Sequence, residues 1–151
     1  MEYTEGRIGR IFILRIDHGE DFLSEMDAFV RKKGINCGIV QFLGALAEGR
    51  MVTGPEKAVL PPSPHFEGFS GGWEIFGTAS IFTGSDGPHI HYHASAGRGA
   101  EALTGCLREK AEAYIVVEVF ITEIIGIQAR RTPEPVTGLN LPSFGRKKSD
   151  Q

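Results

Sequence analysis

The chain has 151 residues, 41% hydrophobic and 23% charged, with a formal net charge of -3. That length and balance suit one soluble globular domain with a single core and exclude a disordered chain. The acidic balance argues against non-specific adhesion to DNA or anionic membrane, which needs a basic surface, and no stretch approaches the ~20 apolar residues of a membrane span.

The opening MEYTEGRIGR is polar and lacks the apolar run of a secretory signal, so the expected compartment is the cytoplasm. RIGRIFILRI (7–16) is rich in β-branched residues and predicts a strand. GEDFLSEMDAFVRKKG (19–34) predicts a helix. Phe22, Met26, Phe29 and Val30 recur at helical spacing, acids come early, bases late, and Gly34 supplies the stop. CGIVQFLGALAEG (37–49) predicts a strand bent at Gly44, with Cys37 an inert thiol among apolar neighbours. Residues 54–72 hold Pro55, Pro61, Pro62 and Pro64, then Gly68, Gly71 and Gly72, and read as a loop with a short edge strand at Ala58–Leu60. WEIFGTASIFTG (73–84) and the run from Pro88 read as a hairpin turned at SDG. A second short helix is expected at 99–104, and AYIVVEVFITEIIGI (113–127) predicts a long strand. Residues 1–132 are read as one domain and 133–151 as a polar C-terminal tail ending in GRKKSDQ. The expected class is α+β: a largely antiparallel or mixed sheet with one main helix packed on one face.

PHIHYH (88–93) carries three of the five histidines at alternate positions. On a strand His89, His91 and His93 share one face, while Ile90, Tyr92 and Ala94 face the core. Glu74, Thr78 and Ser80, and likewise Glu118 and Thr122, extend that polar face onto neighbouring strands, yet Phe76, Phe82 and Phe120 stand on it too. Such a mixed face fits a pocket or a contact with another subunit. Same-face neighbours are about 6.6 Å apart and the outer histidines about 13 Å apart. At most two adjacent imidazoles can therefore share one ion at roughly 2.0–2.1 Å. Cys106, beyond AGRGAEALTG, is the candidate third ligand, and a two-His, one-Cys set favours zinc with one position left open. Spacing alone also allows a polar strand face or a pH-sensitive interface. Glu74 and Glu118 are candidate proton-transfer groups or simply hydrogen-bonded sheet residues. Arg98 and Arg108 are candidate anion holders or surface charges, and His18 and His65 read as surface loop residues.

GPHIHYHASAGRG followed by TGCLRE resembles the signature of the "plants and prokaryotes conserved" (PPC) domain family. The order of the GED helix start, WEIFG and VVEVFITEI around it is similar, so the resemblance covers roughly residues 7–127. It implies a fold like that of acetolactate decarboxylase-type proteins and a homotrimer. In some prokaryotic members it also implies zinc on histidines at a subunit-facing cleft. Matching HASAGR to the family pattern places the paired histidines on His91 and His93 and leaves His89 as a spare, substrate-contacting group. The later family histidine falls on Cys106, where this chain departs: the thiolate either replaces that ligand or the site is weakened. Plant members join the domain to an AT-hook; this chain has no such Arg-Gly-Arg-Pro core, so their DNA role does not transfer. Two readings follow. One is a zinc-dependent, lyase-like protein acting on a small anionic metabolite; the other is a non-catalytic trimeric binding or regulatory module, with DNA association a weaker third.

Overall fold

The computed structural model of the chain describes residues 1–145. Its elements run β1 (Arg7–Asp17), α1 (Phe22–Lys33), β2 (Cys37–Pro55), β3 (Pro64–Thr83), β4 (Pro88–Arg98), β5 (Glu101–Ile125), β6 (Ala129–Glu134) and β7 (Leu139–Phe144). The end of the expected tail, residues 146–151, lies outside the described residues.

The α+β expectation is corrected. Strands make up 68% of the structure, and α1, 12 residues long, is the single helix among the described residues. It covers part of one sheet face but does not form a second layer. Three segments read as irregular or helical are strands instead. The helix expected at 99–104 is a turn at Gly99 and Ala100 followed by the start of β5. The loop expected at 54–72 shrinks to residues 56–63, because β3 already begins at Pro64 and takes Gly68, Gly71 and Gly72 into the ladder. The stretch after 128 folds back as the β6–β7 hairpin. In each case pairing with neighbouring strands overrides local propensity.

α1 forms where its sequence signals place it. The Asp21 side chain accepts from the Ser24 N–H at 2.8 Å and also from the Ala111 N–H at 3.0 Å, tying the helix start to β5. Gly34 closes the helix at φ 62, a left-handed conformation that favours glycine. Phe22, Met26 and Val30 are fully buried against the sheet, and the Phe22 ring meets Phe42 at 5.0 Å and Tyr92 at 5.4 Å between centroids.

The sheet runs β1-β5-β2-β3-β6-β7, with β4 paired to both β3 and β5. All named pairings are antiparallel except the β3–β6 contact at Thr83 and Arg130. The pairings β5–β2, β2–β3, β3–β4 and β4–β5 form a closed circuit. This is possible because β5 is 25 residues long: its first part pairs with β4 and its later part with β1. The interior holds Leu46, Met51, Trp73, Ile75, Ile81, Tyr92, Ala94, Leu107, Val117, Val119 and Ile121. Ile115, which strict alternation with Val117, Val119 and Ile121 would turn inward, is 66% exposed. The register jumps there, from Gly44 opposite Val117 to Ala45 opposite Tyr114, and the extra residues bulge outward. At the other end of β5 the buried Glu123 takes a two-pronged contact from Arg10, at 2.6 and 2.7 Å, which holds its carboxyl below the usual range.

Candidate metal centre

Alternation along β4 carries through as expected. Tyr92, Ala94 and Ala96 are buried, His93 is exposed and His91 is half-buried on the other face. What completes the site is the β4–β5 turn. Arg98 pairs with Glu101 around the two residues Gly99 and Ala100, and Gly99 takes φ 61. Counting back along both strands from that turn sets His93 directly opposite Cys106. His93 Nε2 lies 3.0 Å and His91 Nε2 3.3 Å from Cys106 Sγ. The two imidazole rings are 4.9 Å apart, nearly perpendicular, and the three ligand atoms lie within 4.8 Å of one another. Two glycines let neighbouring strands pack closely around the site. A Cβ at Gly105 would run into the Val52 carbonyl, and one at Gly77 into the His93 carbonyl and the Phe42 ring.

Two imidazole nitrogens and a sulfur at such separations suit a borderline-soft ion taken tetrahedrally, so the donor set fits zinc better than magnesium or calcium. The His91 ring is also in the right protonation state to donate a lone pair. Burial, then the positive charges of Arg131 and Arg108 and the neighbouring His93, push it down to about 4. It is neutral at pH 7, as a ligand must be.

The other expected site residues are dispersed. His89 turns to the β3–β4 turn, where its Nε2 meets Asp86 Oδ1 at 2.6 Å. Glu74 pairs with Gly97, toward the far end of β4, and does not join the cluster. Glu118 pairs with Leu43 and Arg15, and lines a surface hollow with Ile13, Arg15 and Ile115 that shares no residue with the cluster. Arg98 reaches the Ser70 carbonyl at 3.5 Å, beyond Gly97 on the same strand end. Arg108 does come near: it follows Cys106 by two positions on the same face of β5, and its charge helps hold His91 down. His18 accepts from the Ile115 N–H at 3.2 Å, and His65, on β3 rather than in a loop, lies between Glu56 and Glu67, which raise it above its ordinary value.

One neighbour of the cluster was not foreseen. Arg131, on β6, donates to Ser80 Oγ at 3.3 Å and to the Asn140 carbonyl at 2.9 Å, and Ser80 is the cross-strand partner of His91. It lies at the very end of the segment read as the domain, next to the stretch read as tail. The signal that would have found it is the turn chemistry of Pro135, Thr137 and Gly138 between two short extended runs.

The fold has close counterparts among solved structures. A metal-containing protein from Archaeoglobus fulgidus is 25% identical with a TM-score of 0.82, the match covering 93% of this chain and 98% of that one. A plant- and prokaryote-conserved protein from Pyrococcus horikoshii is 24% identical, TM-score 0.79, covering 98% and 99%, and speaks for the fold alone. A protein from Bacteroides thetaiotaomicron, named a candidate DNA-binding protein, is 25% identical, TM-score 0.77, covering 95% and 100%. No curated protein matches the chain in sequence. The Plants and Prokaryotes Conserved (PCC) domain matches residues 3–125, taking in every strand from β1 to β5 and the whole histidine and cysteine cluster, and the chain belongs to that family.

Proposed function

We propose that this protein binds zinc on His91, His93 and Cys106, and that the metal site takes a small anionic metabolite. The observation that carries the reading is the convergence of two imidazole nitrogens and one thiol within 4.8 Å. The metal-containing relative from Archaeoglobus fulgidus supports it. Zinc held by three protein ligands would supply an open position that polarises a bound oxygen. The chain's own residues supply the rest. Arg131 and Arg108 place positive charge beside the ligand atoms, and the neutral His91 ring needs no deprotonation before it donates.

A specific observation favours the binding or regulatory module over the lyase-like enzyme: neither Glu74 nor Glu118 joins the cluster, so neither is placed to move a proton there. The two versions separate on turnover of a panel of keto and hydroxy acids. Turnover abolished by a chelator supports the enzyme, and binding without turnover supports the module.

The homotrimer belongs to the same proposal. Ile11, Ile13, Ile39, Leu43 and Phe76 are 46–73% exposed on one sheet face, which suits burial against further copies of the chain. DNA association is disfavoured by the net charge of -3. No helix among the described residues is long and apolar enough to cross a membrane, and the cytoplasm is the compartment we propose.

A further inference from the structure

We infer that Arg131 and Arg108 form an oxyanion-holding pair beside the histidine and cysteine cluster, and that the metabolite it takes carries a carboxylate or phosphate group. This rests on the metal-site reading for its place but not for its chemistry. The guanidinium of Arg131 is fixed by two contacts of different origin. One goes across to Ser80 on β3, the other to the Asn140 carbonyl on the far strand of its own hairpin. Since Ser80 stands opposite His91, the β6–β7 hairpin holds this positive charge over the strand position next to the cluster. Arg108 follows Cys106 by two positions on β5, with the buried Leu107 between them, so it stands on the same face.

The two arginines bear on each other and on His91, yet neither has a carboxylate partner among the described residues. Five cations among the described residues do have one: Arg10 with Glu123, Arg15 with Asp17, Arg31 with Asp27, Arg50 with Glu109 and Lys110 with Glu48. What sets Arg131 and Arg108 apart from cations such as Lys57 and Arg98, which also lack one, is that both bear on His91. On a chain of net charge -3, two neighbouring unmatched guanidiniums, one half-buried, are an electrostatic deficit that a ligand anion would fill. A guanidinium has five N–H donors, and the two protein contacts of Arg131 leave donors free for a ligand. The contacts are to a hydroxyl and a carbonyl, so the full charge remains for an anion. Phe82, whose ring lies 5.9 Å from the Arg131 guanidinium carbon, adds an apolar wall that stiffens its orientation.

The test is titration calorimetry of pyruvate and of inorganic phosphate into zinc-loaded and metal-free protein. It uses the wild type, Arg131→Gln, Arg108→Gln and, as a control, the exposed Arg130→Gln, with zinc affinity measured in parallel by chelator competition. The expected result is binding of at least one anion, weakened roughly ten- to hundredfold in Arg131→Gln, weakened less in Arg108→Gln and unchanged in Arg130→Gln. Zinc affinity should not fall in any of the three. The preferred probe tells a carboxylate site from a phosphate site. Because Arg108 is exposed, its variant keeps the test decisive even if Arg131→Gln does not fold. If neither anion binds the wild type, or if Arg131→Gln and Arg108→Gln both bind as the wild type does, the inference is overturned. If zinc fails to bind while arginine-dependent anion binding persists, the metal reading fails and this one stands.

Discussion

His93 and Cys106 face each other across the β4–β5 hairpin, with Nε2 3.0 Å from Sγ. The two residues are thirteen positions apart in sequence, and the two-residue turn sets the register between them: Arg98 opposite Glu101 carries back to His93 opposite Cys106. Removing either side of the pair should therefore disable the site without disturbing the core, because His93 is exposed and Cys106 only half-buried. Cys106→Ser and His93→Ala are each expected to weaken zinc binding by more than the ten- to hundredfold that loss of an outer partner of a ligand costs. His89→Ala, whose ring is engaged with Asp86, should leave zinc affinity unchanged. Chelator competition on the four proteins measures all of this.

That register also shows how much of the site was legible in the sequence. Alternation alone separated His91 and His93 from Tyr92 and Ala94, and the spacing of same-face residues limited an ion to two neighbouring histidines. The placement of Cys106 needed the turn. EALTGCLREKAEA, with its Ala, Glu, Leu and Lys, has helical preferences of its own. It becomes strand because β4 and β2 pair with it along its length. Arg131 was illegible for a related reason: the short β6–β7 hairpin has little apolar pattern to advertise it. The helix at Phe22–Lys33 was legible because its cap, stop and apolar spacing all agree.

Acid should weaken the metal-free protein partly through His91. Its folded-state value is about 4 against an ordinary value of 6.5. Between those limits the unfolded chain holds more protons than the folded one. The contribution to stability is thus complete above about pH 6.5 and is lost as pH falls toward 4. Denaturant melts across this window should show a steeper acid loss for the wild type than for His91→Gln. The His65 group titrates in both proteins and drops out of the difference. Parallel curves would remove the burial of His91 from the account.

Close strand approach at Gly77 should make it intolerant of a side chain. A methyl group there meets the His93 carbonyl, the Phe42 ring at 2.5 Å and Ala94 Cα at 3.0 Å. Gly77→Ala is expected to cost about 1–3 kcal/mol, the usual penalty for overpacking. In a chain of this size that lowers the melting temperature by roughly 2–4 °C per kcal/mol. A melting temperature equal to that of the wild type would show that β3 and β4 are not packed this tightly.

The exposed apolar face gives a prediction about assembly. Ile13 is 73% and Phe76 66% exposed. Light scattering after size exclusion should find the wild type as a trimer and Phe76→Glu shifted toward the monomer, since a carboxylate in a dry interface lacks a partner. A monomeric wild type at micromolar concentration would contradict this.

The central claim is the ligand set, and zinc K-edge X-ray absorption of the stoichiometrically loaded protein tests it most directly. The account predicts one sulfur at about 2.3 Å and two imidazole nitrogens at about 2.0–2.1 Å, with the sulfur lost in Cys106→Ser. A shell of nitrogen and oxygen alone in the wild type, or no stoichiometric zinc uptake, would contradict it.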